Sequence, residues 1–468
     1  MIYWGPRHGP RTPNAQRVAG NPSPASTARC LGLVLALMLC GATTAGADER
    51  EMPDWWKALR LRARVAEEFA YRLHDPGDVA KLRTVGWLDG KYAFSETVAL
   101  RAAGRAWYDA VFEATDRYPA NVERDQKTDV SLREAVLTVS RGDLDLRLGR
   151  QQIVWGEAIS TFVTDVVNPR DFREFLLPDF SEIRIPLWAI DATYRFASNV
   201  SLEAVWTPDT RPNKLPKHGA EWEFAPIPFR FRNAVVRLPD DDDEFSLERS
   251  EGGLRLSTLI NGWDASFIYY DGADKSPVFF QRRQPRPPAP DVVVLEPRHP
   301  RLHVVGATLG KSIEPVVVRS EAALSIGKRY STTDVQDSDG VVRRDTLDYL
   351  VSVDGTLFET VDASLQLSQK ILFGTASHLK YGSVEDRVTT SVAVRLTTGF
   401  FDNTLNPSVL FVVNANRADY RLSPRLEYVV TGSLTITAGA DLFAGARHTL
   451  YGQFNDRDRV WLTTTWRF

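Results

Sequence analysis

Apolar and polar residues alternate with a period of two through most of the chain. From Val361 to Ile371, Val361, Ala363, Leu365, Leu367 and Ile371 share one face, and Asp362, Ser364, Gln366, Ser368 and Lys370 the other. Successive side chains of a strand point to opposite sides, so such a segment has one greasy and one wet face. Val388, Val392, Val394 and Leu396 alternate in the same way with Arg387, Thr389, Ser391 and Arg395. Leu434, Ile436, Ala438, Ala440 and Leu442 oppose Thr435, Thr437 and Asp441, and Trp188, Ile190, Ala192, Tyr194 and Phe196 oppose Asp191, Thr193 and Arg195. After an entry marked by Trp55 and Trp56, read as a short periplasmic helix, no helical stripe of comparable length follows.

Alternation alone fits a soluble sandwich as well as a membrane barrel. The connections separate the two. Tight turns are predicted at Ser140–Asp143, Ala197–Asn199, Ile260–Gly262, Lys311–Pro315, Gly355–Thr360, Gly399–Thr404 and Val430–Ser433. Between them lie long polar segments: Thr115–Ser131, Gly156–Pro186, Pro208–Glu251, Gly272–Pro300, Arg329–Asp345, Phe373–Asp386 and Gly445–Asn455, with Asn414–Arg417 as the one short outer loop. Short and long connections alternate when one end of a barrel carries periplasmic turns and the other extracellular loops. Adding strands near Arg62–His74, Arg83–Phe94 and Thr97–Val111 gives about eighteen, or sixteen if the first pair lies outside the wall. The expected fold is an all-β, antiparallel, up-and-down transmembrane barrel whose size leaves an aqueous lumen.

Composition refines this picture. Charged residues make up 25 % and apolar residues 43 %, with a mean hydropathy of -0.25, values that a barrel shares with soluble proteins because lipid-facing and lumen-facing residues average out. The long apolar run Leu31–Cys40 follows Arg29 and precedes Ala45-Gly46-Ala47, the pattern of a secretory signal peptide and too short to span as a helix. The expected division is therefore 1–47 extension and signal, 48–61 periplasmic segment and 62–468 barrel in the outer membrane of a Gram-negative bacterium. Both cysteines, Cys30 and Cys40, fall in the signal. Without its four arginines the rest holds 57 less 4, or 53, basic residues against 60 acidic ones, which leaves no basic footprint for nucleic acid. In the final strand Val460, Leu462, Trp466 and Phe468 share a face against Arg459, Thr463, Thr465 and Arg467. The terminal pair Trp466 and Phe468 resembles the recognition signal of the barrel-assembly machinery, an expected partner together with outer-membrane lipids.

One outer segment is unlike the rest. Residues 148–194 mix charges with apolar residues that need cover from water, among them Phe162, Val163, Val166, Val167, Phe172, Phe175, Leu176 and Leu177. Two readings stand. The segment folds into the lumen and narrows it, with Glu157, Asp165, Arg170, Asp171, Arg173, Glu174, Glu182 and Arg184 as a mixed-charge constriction, or it caps the rim with ion pairs that are only structural. The phrases GRQQIVWGEA, DVVNPRDFREFLLPDF and RIPLWAIDATY resemble a domain-of-unknown-function family of proteobacterial outer-membrane porin-like barrels, as do AYRLHDPGDVAKLR and GRAWYDAVF. The resemblance covers the chain beyond the signal. It implies porin-like barrels associated with export of lipidic or hydrophobic compounds, with an inner-membrane or periplasmic export system as a further partner, and supplies no site residues.

Other chemistry is sparse. The acidic run Asp240–Glu244 lacks the spaced ligands of a calcium loop and reads as a solvated charge run. Arg282–Pro300 reads as a stiff Pro-rich surface loop. His299 and His303 are four apart, but Pro300 disfavours the helix that would align them, and neither metal nor other cofactor is expected. Nucleophile-elbow and phosphate-loop patterns are lacking, so the chain is read as a non-enzyme. The lumen wall is expected to carry both signs, in Asp145 and Arg147, Arg319 and Glu321, Asp362 and Lys370, Arg387 and Arg395, and Arg425 and Glu427. The predicted function is a channel or export conduit for small, hydrophobic or lipidic solutes. The alternative is a loop-plugged receptor or assembly protein without an open pore. Arg150 stays in phase with the lipid-facing Leu144, Leu146 and Leu148, which requires a bulge or the membrane boundary.

Overall fold

The computed structural model describes residues 58–74, 77–224, 234–236, 244–286, 289–332, 337–374 and 386–468. The signal, the Trp55–Trp56 entry, Asp240–Asp243 and His378 lie outside the described residues. Eighteen strands form the wall. The first six are β1 (Leu59–Arg72), β2 (Asp78–Ala93), β3 (Val98–Asp109), β4 (Thr128–Arg141), β5 (Leu144–Gln151) and β6 (Leu187–Ala197). Next come β7 (Val200–Thr207), β8 (Glu251–Ile260), β9 (Trp263–Ala273), β10 (Arg301–Ile313), β11 (Val316–Ile326) and β12 (Thr346–Leu357). The circle is completed by β13 (Val361–Leu372), β14 (Val388–Thr398), β15 (Leu405–Asn414), β16 (Asp419–Val429), β17 (Leu434–Ala444) and β18 (Arg459–Arg467). Each strand pairs antiparallel with the next, and β18 returns to β1 from Arg64 opposite Arg467 to Arg72 opposite Arg459. At the seam the Phe468 backbone exchanges hydrogen bonds with Ala63, 2.9 and 3.2 Å long. The fold is the up-and-down barrel that the alternation implies.

The pleat decides what faces lipid. On β13, Leu365 and Leu367 are exposed while Gln366, between them, is 1 % exposed and turned inward. Exposed aromatics gather in two bands. Phe94, Tyr194, Phe196, Trp263, Tyr428 and Trp466 lie toward the short turns, and Tyr71, Trp188, Trp206, Tyr269 and Tyr420 toward the long loops. Tyr420 and Tyr428 are eight residues apart on β16. At about 3.4 Å per residue and a tilt of about 40°, that projects to roughly 20 Å, close to the apolar height of an outer-membrane barrel.

The long loops carry structure of their own. The β3–β4 connection holds helices Val111–Ala114 and Ala120–Gln126. The β9–β10 connection, expected as an extended Pro-rich loop, is a hairpin of Val278–Arg286 and Ala289–Arg298 with Ala234–Val236 alongside as a third strand. The run Val292–Leu295 supplies its buried side, which is why the segment pairs instead of staying extended. A second short outer connection, 73–77, joins β1 to β2, because β2 begins at Asp78, earlier than the alternation alone indicates. Arg150 is resolved in favour of the boundary. Its ladders to Ala135 and Trp188 run without a register shift, and it sits one residue from the outer end of β5 beside the outer aromatic band.

The alternation makes a prediction about lipid exposure. Leu365→Arg, pointing into hydrocarbon near mid-wall, should cost about 2–4 kcal/mol, whereas Ser364→Arg, one residue away and facing the lumen, should cost a fraction of that. Equilibrium urea unfolding in lipid vesicles distinguishes them, and equal losses would mean that the pleat has been assigned the wrong way round.

Candidate functional site

The connection between β5 and β6, residues 152–186, runs into the barrel. Its first leg buries Ile153, Trp155, Val163 and Val167 against inward residues of β6 to β12, including Ala189, Val205, Ile268, Tyr270, Val304 and Leu350. Further on, Phe175 packs with Trp222, Ala393, Val412, Phe443, Tyr451 and Phe454, and Leu176 and Leu177 border this second cluster. Six of the eight apolar residues that demanded cover from water, Val163, Val166, Val167, Phe175, Leu176 and Leu177, thus find it in clusters on two sides of the lumen, and Phe162 stacks on Phe180 at 4.2 Å. Asn168 fastens the two ends together: its Oδ1 accepts from the Ile153 amide at 2.8 Å and its Nδ2 donates to the Ile185 carbonyl at 2.8 Å. Gly156 is required by close approach, since a Cβ there would lie 2.9 Å from both Glu321 Oε2 and Thr164 Oγ1.

Polar anchors reach the loop from many strands. Glu321 of β11 accepts from the amides of Glu157 (2.6 Å) and Thr164 (3.1 Å) and from the Thr164 hydroxyl (2.6 Å). Gln366 of β13 accepts from the Ile159 amide at 3.0 Å and donates to Ser160 at 2.7 Å. Trp155 Nε1 donates to Glu203 of β7 at 3.0 Å, and Arg421 of β16 donates to the Leu176 carbonyl at 2.6 Å.

Most of the charges expected to line a constriction serve as further anchors. Glu182 pairs with Arg64 of β1 (3.2 Å) and Arg105 of β3 (2.6 Å). Glu174 bonds both Lys81 and Arg83 of β2. Arg173 holds Asp171 at 2.6 Å and Asp129 of β4 at 2.9 Å. Asp165 is buried against Arg184 at 2.7 Å, and Arg170 donates to the Asp165 carbonyl while lying 3.8 Å over the Phe162 ring. Glu157 differs: its carboxylate is 76 % exposed, 3.3 Å from Arg319 of β11. Burial alone would raise the Glu174 and Asp171 carboxyls, but Arg83 and Lys81 hold Glu174 well below the usual value and Arg173 holds Asp171 below it.

A cavity of about 580 Å³ lies between the loop and β14 to β18. Of the eight expected charges, Glu157 and Arg184 line it. The wall side adds Arg395, Arg421, Arg425 and Arg459 with Asp441, and the loop side Leu176, Leu177 and Phe180. Asp441 is shared by Arg421 at 3.3 Å and Arg459 at 2.9 Å, and Arg425 bonds Glu427 at 3.1 Å. Arg395 is exposed to the cavity and has neither hydrogen bond nor ion pair among the described residues. Arg395 and Arg425 follow from alternation in the sequence; the convergence of Arg421, Arg459 and Asp441, from three strands, does not. Among the described residues no group of three His, Cys, Asp or Glu is placed to hold a metal ion.

Comparisons with known proteins bear on this architecture. Pseudomonas aeruginosa OccK1 (OpdK) superimposes with a TM-score of 0.51 at 10 % identity, covering 88 % of this chain and 99 % of that one. For Acinetobacter baumannii OccAB1 the TM-score is 0.53 at 7 % identity, over 88 % and 96 % of the two chains. OpdK, described as an outer membrane protein, is also known in complex with vanillate. At these identities the likeness is one of fold, and it is to Gram-negative outer-membrane barrels. Comparison with curated protein sequences gives no match. The profile of a family described as "Protein of unknown function (DUF1302)" matches residues 74–468.

The depressed carboxyl of Glu174 sets a pH window for the loop. A lowered folded value contributes stability that is complete above the ordinary value of 4.5 and is lost only as pH falls through the lower, folded one. Protection of the loop amides of Ile159 and Thr164 from hydrogen exchange, corrected for the intrinsic pH dependence, should therefore hold as pH drops from 7 through 4.5 and fall only in stronger acid. Loss of protection already near pH 6 would show that the loop is not held by Glu174.

Proposed function

We propose that this chain, which belongs to the DUF1302 family of proteins of unknown function, is a passive outer-membrane channel whose narrowest passage lies between the 152–186 loop and β14 to β18. The observation that carries the reading is the loop itself, tied to inward residues of at least seven strands and leaving a cavity on one side. Such a wall weakly sorts solutes by size and charge and needs no deep binding site.

The lining narrows the solute class. Leu176, Leu177 and Phe180 offer an apolar surface, and Arg395, facing them without a carboxylate of its own, offers a charge. That combination suits a small organic anion with an apolar body better than a neutral lipid. The vanillate complex of OpdK, a barrel of the same fold, is consistent with such a solute. The plugged-receptor reading draws support from the loop touching both sides of the lumen.

Conductance in planar bilayers separates these readings. The intact protein should conduct steadily, and removal of Thr164–Glu182 should raise the current several-fold. Arg395→Glu, which alters no anchor of the loop, should shift the reversal potential in a salt gradient toward cations. Silence in both the intact and the shortened protein would overturn the channel and favour the receptor.

A further inference from the structure

Four aspartates keep an enclosed carboxylate oxygen that no hydrogen bond reaches among the described residues: Asp125, Asp165, Asp191 and Asp419. Three of them have a base beside them, with Lys217 3.4 Å from Asp125, Arg184 2.7 Å from Asp165 and Arg147 3.4 Å from Asp191. Asp419, the first residue of β16 at its outer end, is the most deeply buried of the four at 0 % exposure, yet it forms no ion pair among the described residues. Buried carboxylates in proteins are paired with a base or coordinate a cation, because leaving water uncompensated is costly.

The surroundings of Asp419 are built from oxygen. Its Oδ2 is fixed by the Tyr451 amide at 2.7 Å and by Asn414 Nδ2 of β15 at 3.2 Å, so the carboxylate is held still with Oδ1 unengaged. Gly445 of the β17–β18 connection lies directly against it, since a Cβ at 445 would stand 2.3 Å from Asp419 Cβ. The Gly445 carbonyl accepts from Asn455 Nδ2 at 2.5 Å, which fixes which way round that amide lies, and Asn455 Oδ1 is enclosed with no hydrogen-bond partner among the described residues. Thr449 Oγ1, by contrast, is engaged, donating to the Ala446 carbonyl at 2.8 Å and accepting from the Gly452 amide at 3.2 Å. Two side chains that meet at Gly445 thus each carry an enclosed oxygen without a donor, one from a carboxylate and one from an amide. Two acceptors cannot hydrogen-bond each other, but a cation satisfies both.

We infer that Asp419 and Asn455 hold a calcium ion between the outer end of β16 and the β17–β18 connection. Hard cations take carboxylate, amide and main-chain oxygens, and calcium accepts irregular sets of six to eight such ligands completed by water, where magnesium demands a near-ideal octahedron. A set with one carboxylate binds weakly, at about 10⁻⁴–10⁻³ M, the range of extracellular calcium modules, and this end of the wall faces the external medium. The same connection supplies Tyr451 and Phe454 to the cluster around Phe175, with ring centres 6.0 and 4.8 Å from that of Phe175. Calcium therefore fastens the connection to the wall and, through Phe175, steadies the 152–186 loop. The inference stands whether or not the cavity conducts.

Terbium replaces calcium in oxygen sites and luminesces when a nearby aromatic ring is excited, a role open to Tyr451. Titrated into the full chain in mild detergent, terbium should give saturable luminescence that millimolar calcium displaces. The signal should be lost in Asp419→Asn, fall several-fold in Asn455→Ala, and stay unchanged in Asp456→Asn, which alters a half-exposed acid of the same connection. Hydrogen exchange of the Tyr451 amide, which Asp419 accepts, should slow several-fold with millimolar calcium in the unaltered chain and not in Asp419→Asn. If Asp419→Asn fails to fold, Asn455→Ala, which keeps the carboxylate, carries the test. Luminescence that never saturates, that persists undiminished in the Asp419 and Asn455 variants, or that Asp456→Asn abolishes would overturn the inference. So would a Tyr451 amide indifferent to calcium, which would mean that water alone bridges the two oxygens.

Discussion

Inside hydrocarbon no water is available to pair a free backbone amide, so the wall exists only because every strand edge meets another. The last edge to be met is the β1–β18 seam, where nine residue pairs and the backbone of Phe468 close the circle. Closure fixes the parity of every strand. Once Val65 faces lipid beside Trp466, Arg64 must face the lumen, and so must each polar residue in phase with it. The inward charges that later hold the loop are a direct consequence of a constraint that acts on the outside.

A lumen lined in this way is a demanding place to put a loop. Its apolar residues gain by packing on the wall, but its carboxylates and guanidiniums lose water and must be paired again. The loop resolves both demands with one arrangement. Phe175 and Trp155 sit in apolar clusters on two sides, and between them Glu174, Glu182 and Arg173 are each held by more than one opposite charge. Charges engaged in this way are neutralised where they stand. The field in the cavity beside the loop is therefore set mainly by the wall, at Arg395 and around the Arg421–Asp441–Arg459 group.

The legibility of these features in the sequence follows their range. Alternation within a strand is local, so Leu365 and Gln366 announce their faces without reference to anything else, and the turns at 142–143 and 261–262 are local too. The inward course of the loop is half legible: the apolar content of 162–177 says that it must be covered, but not by what. Its anchors were not legible, because Glu182 meets Arg64 across 118 positions and Ile159 meets Gln366 across 207. Nothing in the spacing of such pairs distinguishes a constriction residue from an anchor; only the three-dimensional register does. The β9–β10 hairpin is hidden in the sequence for a related reason, since prolines in 282–300 argue against pairing and the buried Val292–Leu295 run outweighs them.

The distribution of anchors also bears on how such a passage behaves. A lid that opens and closes is joined to its frame at a hinge and rests lightly elsewhere, so a few contacts change when it moves. Here contacts come from β1, β2, β3, β4, β7, β11, β13 and β16, around most of the circumference, and Asn168 ties the loop's entry to its exit. Moving the loop by the width of a solute would break many of these at once and expose Phe175 and Trp155 to water, so the low-energy fluctuations left to it are small. A loop framed in this way is held in place. Side chains along the cavity that carry no such bond, of which Arg395 is the clearest instance among the described residues, keep the freedom to reorient that the loop lacks.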